Sequence, residues 1–296
     1  MRALIIGAGG FIGTALCRKM HENDKDFVAH YRTRKGGVSN CIIGSISILE
    51  GSFDWANMLG QVGCVIYCAG NNGATPSLCH QANVVDPLAL TRKAIECGVD
   101  RFIYLSSAKV FGDVSQSLAF SVRVNNLSPV EEYAQSKVDA ERALMAAVAG
   151  TSMELVIIRP PMVYGAGSKG GVTALANIAK KGIPLPFASV NNRRSVIHVD
   201  RLCDFIVHCI NHPRAAEQPW LVSDGVDRSL PELIRHISQP SKPRLLPFPP
   251  SLLNKVLCLM GKKRRADSLF ADFQIDIQDT VDILGWDPLS VDCGGF

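Results

Sequence analysis

Tyr133 stands four residues before Lys137 in SPVEEYAQSKVDAERAL, residues 128–144. On a helix, residues four apart share a face. An ammonium beside a phenol favours the phenolate and lowers its pKa. A tyrosine tuned in this way can exchange a proton near neutral pH. The same spacing arises by chance in many helices, so the pair alone is a motif that needs context. The flanking residues predict the helix. Ser128 is placed to cap it, Pro129 suits the first helical position, and Glu131 completes a capping box. Good helix formers then run to Gly150, a plausible stop.

A second constellation lies at the N-terminus. The run RALII leads into Gly7-Ala8-Gly9-Gly10-Phe11-Ile12-Gly13 and then into a helical pattern. Gly7, Gly10 and Gly13 let the backbone turn tightly and approach a pyrophosphate, and the helix N-terminus offers free N–H groups to it. A strand before and a helix after are the context that makes this a dinucleotide site. Sites for NAD usually carry an acidic residue at the end of the second strand. Here the chain reads VAHYRTRKGG, with Arg32, Arg34 and Lys35 and no acid. A guanidinium can hold a 2′-phosphate by charge and paired hydrogen bonds. The expectation is therefore NADP(H) in preference to NAD.

The elements that must position these residues alternate. Strands are predicted at 2–7, 26–31, 63–70, 101–107 and 153–160, and helices at 11–20, 87–99 and 129–149. The nearly continuous apolar run GCVIYCAG suits a strand buried on both faces. The fold class expected is α/β, a doubly wound parallel sheet with helices on both faces. Ligands in such sheets sit at the carboxyl ends of the strands. After Pro160, prolines and glycines become frequent. The domain reading is a dinucleotide-binding domain over 1–159, rejoined by about 190–215. A smaller, discontinuous substrate lobe then comprises 160–189 and 216–296.

Bulk composition narrows the classes. The chain has 296 residues, 47% hydrophobic and 20% charged, with a formal net charge of +4. No basic stripe is interleaved with aromatics, so no nucleic-acid partner is expected. The apolar stretch Leu252–Met260 is broken by Asn254 and Lys255, so no transmembrane segment is expected. Lys262 to Arg265 follow it. They read as a solvated helix end, where cations suit the dipole, with contact to an acidic membrane surface as the alternative. Met1 leads straight into a strand, with no secretory signal, and the ten cysteines show no paired short spacing. A cytoplasmic protein with reduced thiols is expected. His198, Cys203, His208, Cys209 and His212 lie on an ordinary amphipathic pattern without H-E-x-x-H, so no metal is expected.

Taken together, GAGGFIG, LSSAKVFG, Tyr133-x-x-x-Lys137, RPPMVYG, RRSVIHVDRL and LGWDP stand in the order found in the extended short-chain dehydrogenase/reductase family. The chain resembles its nucleotide-sugar epimerase/dehydratase/reductase branch over nearly its whole length. The resemblance implies a Rossmann-type fold and roles for particular residues. Ser107 would hydrogen-bond the reacting oxygen, Tyr133 would be the acid/base, and Lys137 would lower its pKa and hold the nicotinamide ribose. Gly7, Gly10, Phe11, Ile12, Gly13, Cys68, Ala69, Gly70, Asn83 and Pro160 would bind or support the cofactor. Arg194 would grip the substrate diphosphate, with Lys109 and Met162 near the sugar. Lys109 has an equal reading as a solvated loop lysine.

The resemblance further implies a UDP-linked, N-acetylated sugar altered at C4. The subgroup it points to holds UDP-N-acetylglucosamine 4-epimerase-like proteins and 4-keto reductases forming UDP-N-acetyl-quinovosamine, linked to bacterial polysaccharide synthesis. The arginines after strand two lean towards the NADPH-dependent reductase; the alternatives are an NAD-dependent UDP-sugar 4-epimerase and a non-catalytic NADPH-binding regulator. A dehydratase is disfavoured, because Ala108 and Lys109 stand where its Asp–Glu pair would be. A homodimer through a four-helix bundle including 129–149 is also implied. Ile6, Ser45, Phe111 and Met162 depart from the family's common pattern, and Met162 leaves the sugar contacts open.

Overall fold

The computed structural model describes residues 1–31, 41–43, 54–72, 75–115, 118–123, 126–216, 218–261 and 263–293, with side chains except at 41–43 and 263–265. Arg32, Arg34, Lys35 and Ser45 lie outside the described residues. The first half alternates as β1 (Ala3–Ile6), α1 (Phe11–Glu22), β2 (Phe27–Tyr31), β3 (Cys41–Ile43), α2 (Trp55–Leu59), β4 (Cys64–Tyr67), α3 (Pro76–His80), α4 (Asp86–Glu96), β5 (Arg101–Leu105), α5 (Glu132–Val148) and β6 (Glu154–Arg159). The second half supplies β7 (Met162–Tyr164), α6 (Gly171–Lys180), β8 (Val196–His198), α7 (Val199–Asn211), β9 (Trp220–Leu221), α8 (Leu230–Ser238), α9 (Pro250–Leu259), α10 (Lys263–Phe270) and α11 (Gln278–Leu284).

The main sheet runs β3-β2-β1-β4-β5-β6-β9, and every neighbouring pair is parallel. The runs read as buried strands form the centre of this sheet, with β1, β4 and β5 buried at every residue. One face packs on α1 and α7 through residues such as Leu16, Phe205 and Ile206. The other packs on α2, α4 and α5 through Leu59, Leu90 and Leu144. The direction of winding reverses between β1 and β4, so a crevice opens at their carboxyl ends.

Trp220 and Leu221 depart from the expected domain limits. The sequence reading gives them to the smaller lobe, but they hydrogen-bond to β6 at the edge of the main sheet. Leu284 and Trp286 likewise join the core beside α7, where the Trp286 indole N–H donates to Asp204 (3.1 Å). A two-residue strand is too short to show any period, which is why the pattern hides it.

The smaller lobe has its own core of α6, α8 and the 185–190 segment, with Leu253, Leu269 and Phe270 packed against it. A second, two-stranded sheet of β7 and β8 leads towards it. Asp224, fully buried, binds these parts together. It accepts from the His198 backbone (2.9 Å) and from the Tyr164 hydroxyl (2.5 Å), and it pairs with Arg201 (3.1 Å) and Arg228 (3.3 Å).

α5 begins later than its sequence suggests. Its cap is Glu131, with no side-chain cap bond, and the Ser128–Glu131 capping box does not form. The Ser128 N–H donates instead to the Val110 carbonyl (3.0 Å), and the Glu131 carboxylate reaches Lys109 (3.0 Å). Further along, Glu141 is 2% exposed and takes a two-pronged hydrogen bond from Arg159 (3.0 and 2.6 Å) as well as one from Ser106. This pair fixes α5 to β6. Removing one partner strands a buried charge, so Glu141→Ala should lower stability by about 3–5 kcal/mol, read as a fall in the urea midpoint. A loss below about 1 kcal/mol, the range of surface pairs, would show that the pair does not anchor the helix.

Candidate active site

A cleft of about 1750 Å³ runs along the carboxyl ends of β1, β4 and β5 and on between the two lobes. Its floor is the turn from β1 to α1. Gly7 takes φ +87°, and a Cβ there would stand 2.7 Å from the Ala69 nitrogen. At Gly13 a Cβ would lie 2.1 Å from the Gly7 carbonyl oxygen, a distance no side chain tolerates. These positions bring the backbone against the crevice, where Gly10, Phe11 and Ile12 line the wall. The first turn of α1 carries no acidic residue, so its N–H groups and positive end face an anion without competition. Cys68, Ala69 and Gly70 continue the wall after β4. A dinucleotide therefore fits the residues present here.

Tyr133, Ser107 and Lys137 meet at the far side of this crevice. Ser107 follows β5 and caps a short 3₁₀ turn, Ala108–Phe111, by accepting from the Lys109 N–H (3.2 Å). Its hydroxyl also acts on the Tyr133 phenol. Lys137 is 3% exposed; its ammonium donates to the Leu105 carbonyl (2.8 Å) and the Tyr104 hydroxyl (3.1 Å), and lies 5.9 Å from the centre of the Tyr133 ring.

The pKa directions correct one expectation. Burial pushes the Tyr133 phenol up to about 12, with the Ser107 hydroxyl pulling the other way. The expected lowering by Lys137 is not what governs this phenol. The lysine's own pKa is pushed down to about 8 by burial, opposed by Glu141. Desolvation acts on both groups and favours their neutral forms.

Asn83 supports the site from a π turn, Gln81–Val85, between α3 and α4. Such turns widen a helix and recur at functional sites. Its amide donates to Ser136 (2.9 Å) and the Asn71 carbonyl (3.0 Å), and accepts from the Asn71 N–H (3.0 Å). Its backbone carbonyl receives the Tyr104 hydroxyl (2.9 Å), which links Asn83 to Lys137. Sequence reasoning misses Tyr104 and Ser136. Tyr104 reads as one more apolar residue of a buried strand; its only signal is a hydroxyl that needs a partner there.

The other wall belongs to the smaller lobe. Pro160 accepts from the Ala108 N–H (2.9 Å), which closes the 3₁₀ turn against β6. Met162 on β7 lines the cleft. Arg194 does too; it is half-buried, donates to the Ala271 carbonyl (2.7 Å) and lies over Phe273. Burial lowers its pKa from the usual value. Lys109 is at the rim, paired with Glu131 (3.0 Å) and Asp113 (3.3 Å), so it is neither a simple solvated lysine nor remote from the cleft. His198 caps α7 by accepting from the Asp200 N–H, and the His208 ring meets the Leu284 carbonyl (2.9 Å).

Residues 3–223 match the NAD dependent epimerase/dehydratase family. A UDP-glucose 4-epimerase of Vibrio cholerae is 36% identical across 96% of this chain and 90% of that protein. An N-acetyl-alpha-D-glucosaminyl-diphospho-ditrans,octacis-undecaprenol 4-epimerase of Escherichia coli O157:H7 is 23% identical over 84% of this chain and 76% of its own length. Among solved structures, UDP-glucuronic acid 4-epimerase from Bacillus cereus with NAD superposes with a TM-score of 0.74 at 18% identity, covering 99% of this chain and 93% of that one. The last likeness speaks for the fold alone. The family match and the near full-length relative establish that this chain belongs to the NAD dependent epimerase/dehydratase family, among the extended short-chain dehydrogenases/reductases, and is an enzyme of that type.

Proposed function

We propose that the protein is a 4-epimerase of a UDP-linked hexose or N-acetylhexosamine, working with tightly held NAD. The observation that carries this reading is the Ser107–Tyr133 pair in a cleft whose floor suits a dinucleotide, in a chain with a near full-length UDP-glucose 4-epimerase relative. NAD, when bound, supplies the acceptor and donor of the hydride at C4. Tyr133, in its phenolate form, takes the proton of the sugar's 4-hydroxyl as the carbonyl forms, and the resulting phenol returns it when the opposite face is reduced. Ser107 donates a hydrogen bond to the same oxygen. Lys137 holds the dinucleotide's ribose beside Gly70 and keeps positive charge beneath the phenol. Arg194 binds the substrate diphosphate. Ala108 and Lys109 leave no carboxylate in the turn after Ser107 to abstract a C5 proton, which argues against a dehydratase.

A second reading, an NADPH-dependent 4-keto-sugar reductase, is favoured by Arg32 and Arg34 in a segment without an acid. The two readings differ in what the purified protein carries. Denaturing it should release close to one NAD per chain; an empty protein that binds NADPH far better than NADH would favour the reductase instead.

Tyr133→Phe should lower turnover by about 10²–10⁴ while bound nucleotide stays at the wild-type level. Unchanged turnover would remove the tyrosine from the chemistry and revive the third reading, a regulator that only binds nucleotide.

Lys137 gives a pH test. Its pKa in the fold is about 8, against an ordinary 10.5. Between these values the unfolded chain binds more protons, so stability rises with pH. The destabilisation is complete below pH 8 and is lost as pH climbs to about 10.5. Measured against Lys137→Met, the wild type should gain on the order of 3 kcal/mol across that window. A pH-independent difference would mean that the lysine's pKa is not lowered by the fold.

A further inference from the structure

α9 is apolar on both sides. Leu253 packs on the small-lobe core, yet no residue of the helix is buried. Leu252, Val256 and Leu259, spaced by four and three residues, form an outward stripe 48%, 46% and 88% exposed. Leu246 and Phe248 just before the helix and Met260 just after it are exposed too. A contiguous exposed apolar patch of this kind marks an interaction surface.

The charge along the sequence that flanks it is one-sided. Between Glu232 and Asp267 the chain has eight Lys and Arg and no Asp or Glu. The rest of the chain holds the remaining 23 of its 31 basic residues against all 27 acidic ones. The expectation that Lys262 to Arg265 suit a helix C-terminus is not met. Lys262 lies outside the described residues, and Lys263, Arg264 and Arg265 open α10, the end where the helix dipole disfavours cations. A run of basic residues in sequence next to an exposed apolar helix face suits the interface of an anionic bilayer in both charge and polarity.

We propose that α9 and the start of α10 dock the protein on an anionic phospholipid surface, with the apolar stripe among the headgroups and the positive charge of this stretch of chain drawing it there. Ser268 and Leu269, in the last turn of α10, line the cleft. Docking would therefore set the cleft mouth beside the lipid surface. This surface does not depend on which C4 reaction the site performs.

Flotation of the full-length protein with vesicles tests it. The protein should float with phosphatidylcholine vesicles containing about a third phosphatidylglycerol, stay behind with phosphatidylcholine alone, and be released by high salt. Lys255→Gln should weaken partitioning about fivefold. Leu259→Glu should weaken it at least as much, while turnover of a soluble UDP-sugar stays at the wild-type level. Absence of binding to the anionic vesicles, or equal binding by both variants, would overturn the proposal. So would concentration-dependent self-association that Leu259→Glu abolishes without any vesicle binding, because the stripe would then be covered by a second copy.

Discussion

The Lys137 ammonium is 3% exposed and still sits at the edge of a crevice shaped for a charged ligand. Taking a charge out of water costs several kcal/mol unless its donors are met. Much of the surrounding architecture meets that demand. β5 ends where its Leu105 carbonyl can accept from Nζ, and Tyr104 turns its hydroxyl to the same nitrogen. That hydroxyl is in turn oriented by the Asn83 carbonyl, which the π turn presents. One turn further along α5, Glu141 locks onto Arg159 and Ser106. The helix carrying Tyr133 and Lys137 is thus fastened to the sheet by two buried polar clusters. Position and orientation of this kind are what a hydride-transfer site asks of its protein.

The cleft's second wall depends on a different buried charge. Asp224 joins β7, β8 and the Arg228 segment. Arg228 exchanges backbone hydrogen bonds with Arg194 (3.1 and 2.9 Å). The carboxylate therefore sets, through one short pairing, where the cleft-lining Arg194 stands relative to β7 and Met162. Neither wall is a free loop. Each hangs on a charge that is satisfied only in this arrangement.

How much of this could be read beforehand follows from the range of the interactions involved. The Gly7–Gly13 turn, the buried strands and the Tyr133–Lys137 face are local, set by backbone sterics and by periods of two and 3.6 residues. They stand in the structure where the sequence places them. The Ser128–Glu131 capping box fails because Glu131 has a better partner, Lys109, 22 residues away. The lowered tyrosine pKa fails because spacing says nothing about desolvation. Tyr104, Asp224 and the edge strand β9 were not legible, since each matters through partners far off in the chain. Arg32 and Arg34 remain a sequence argument alone.

The central claim is that the site moves a hydride off C4 and returns it to the other face of the same sugar. The direct measurement uses UDP-glucose deuterated at C4, or its N-acetyl analogue, with purified protein and no added nucleotide, followed by NMR of the product. The account predicts the C4 epimer with deuterium still at C4. No epimer without added NADPH, or a product whose C4 hydrogen comes from NADPH, would contradict it.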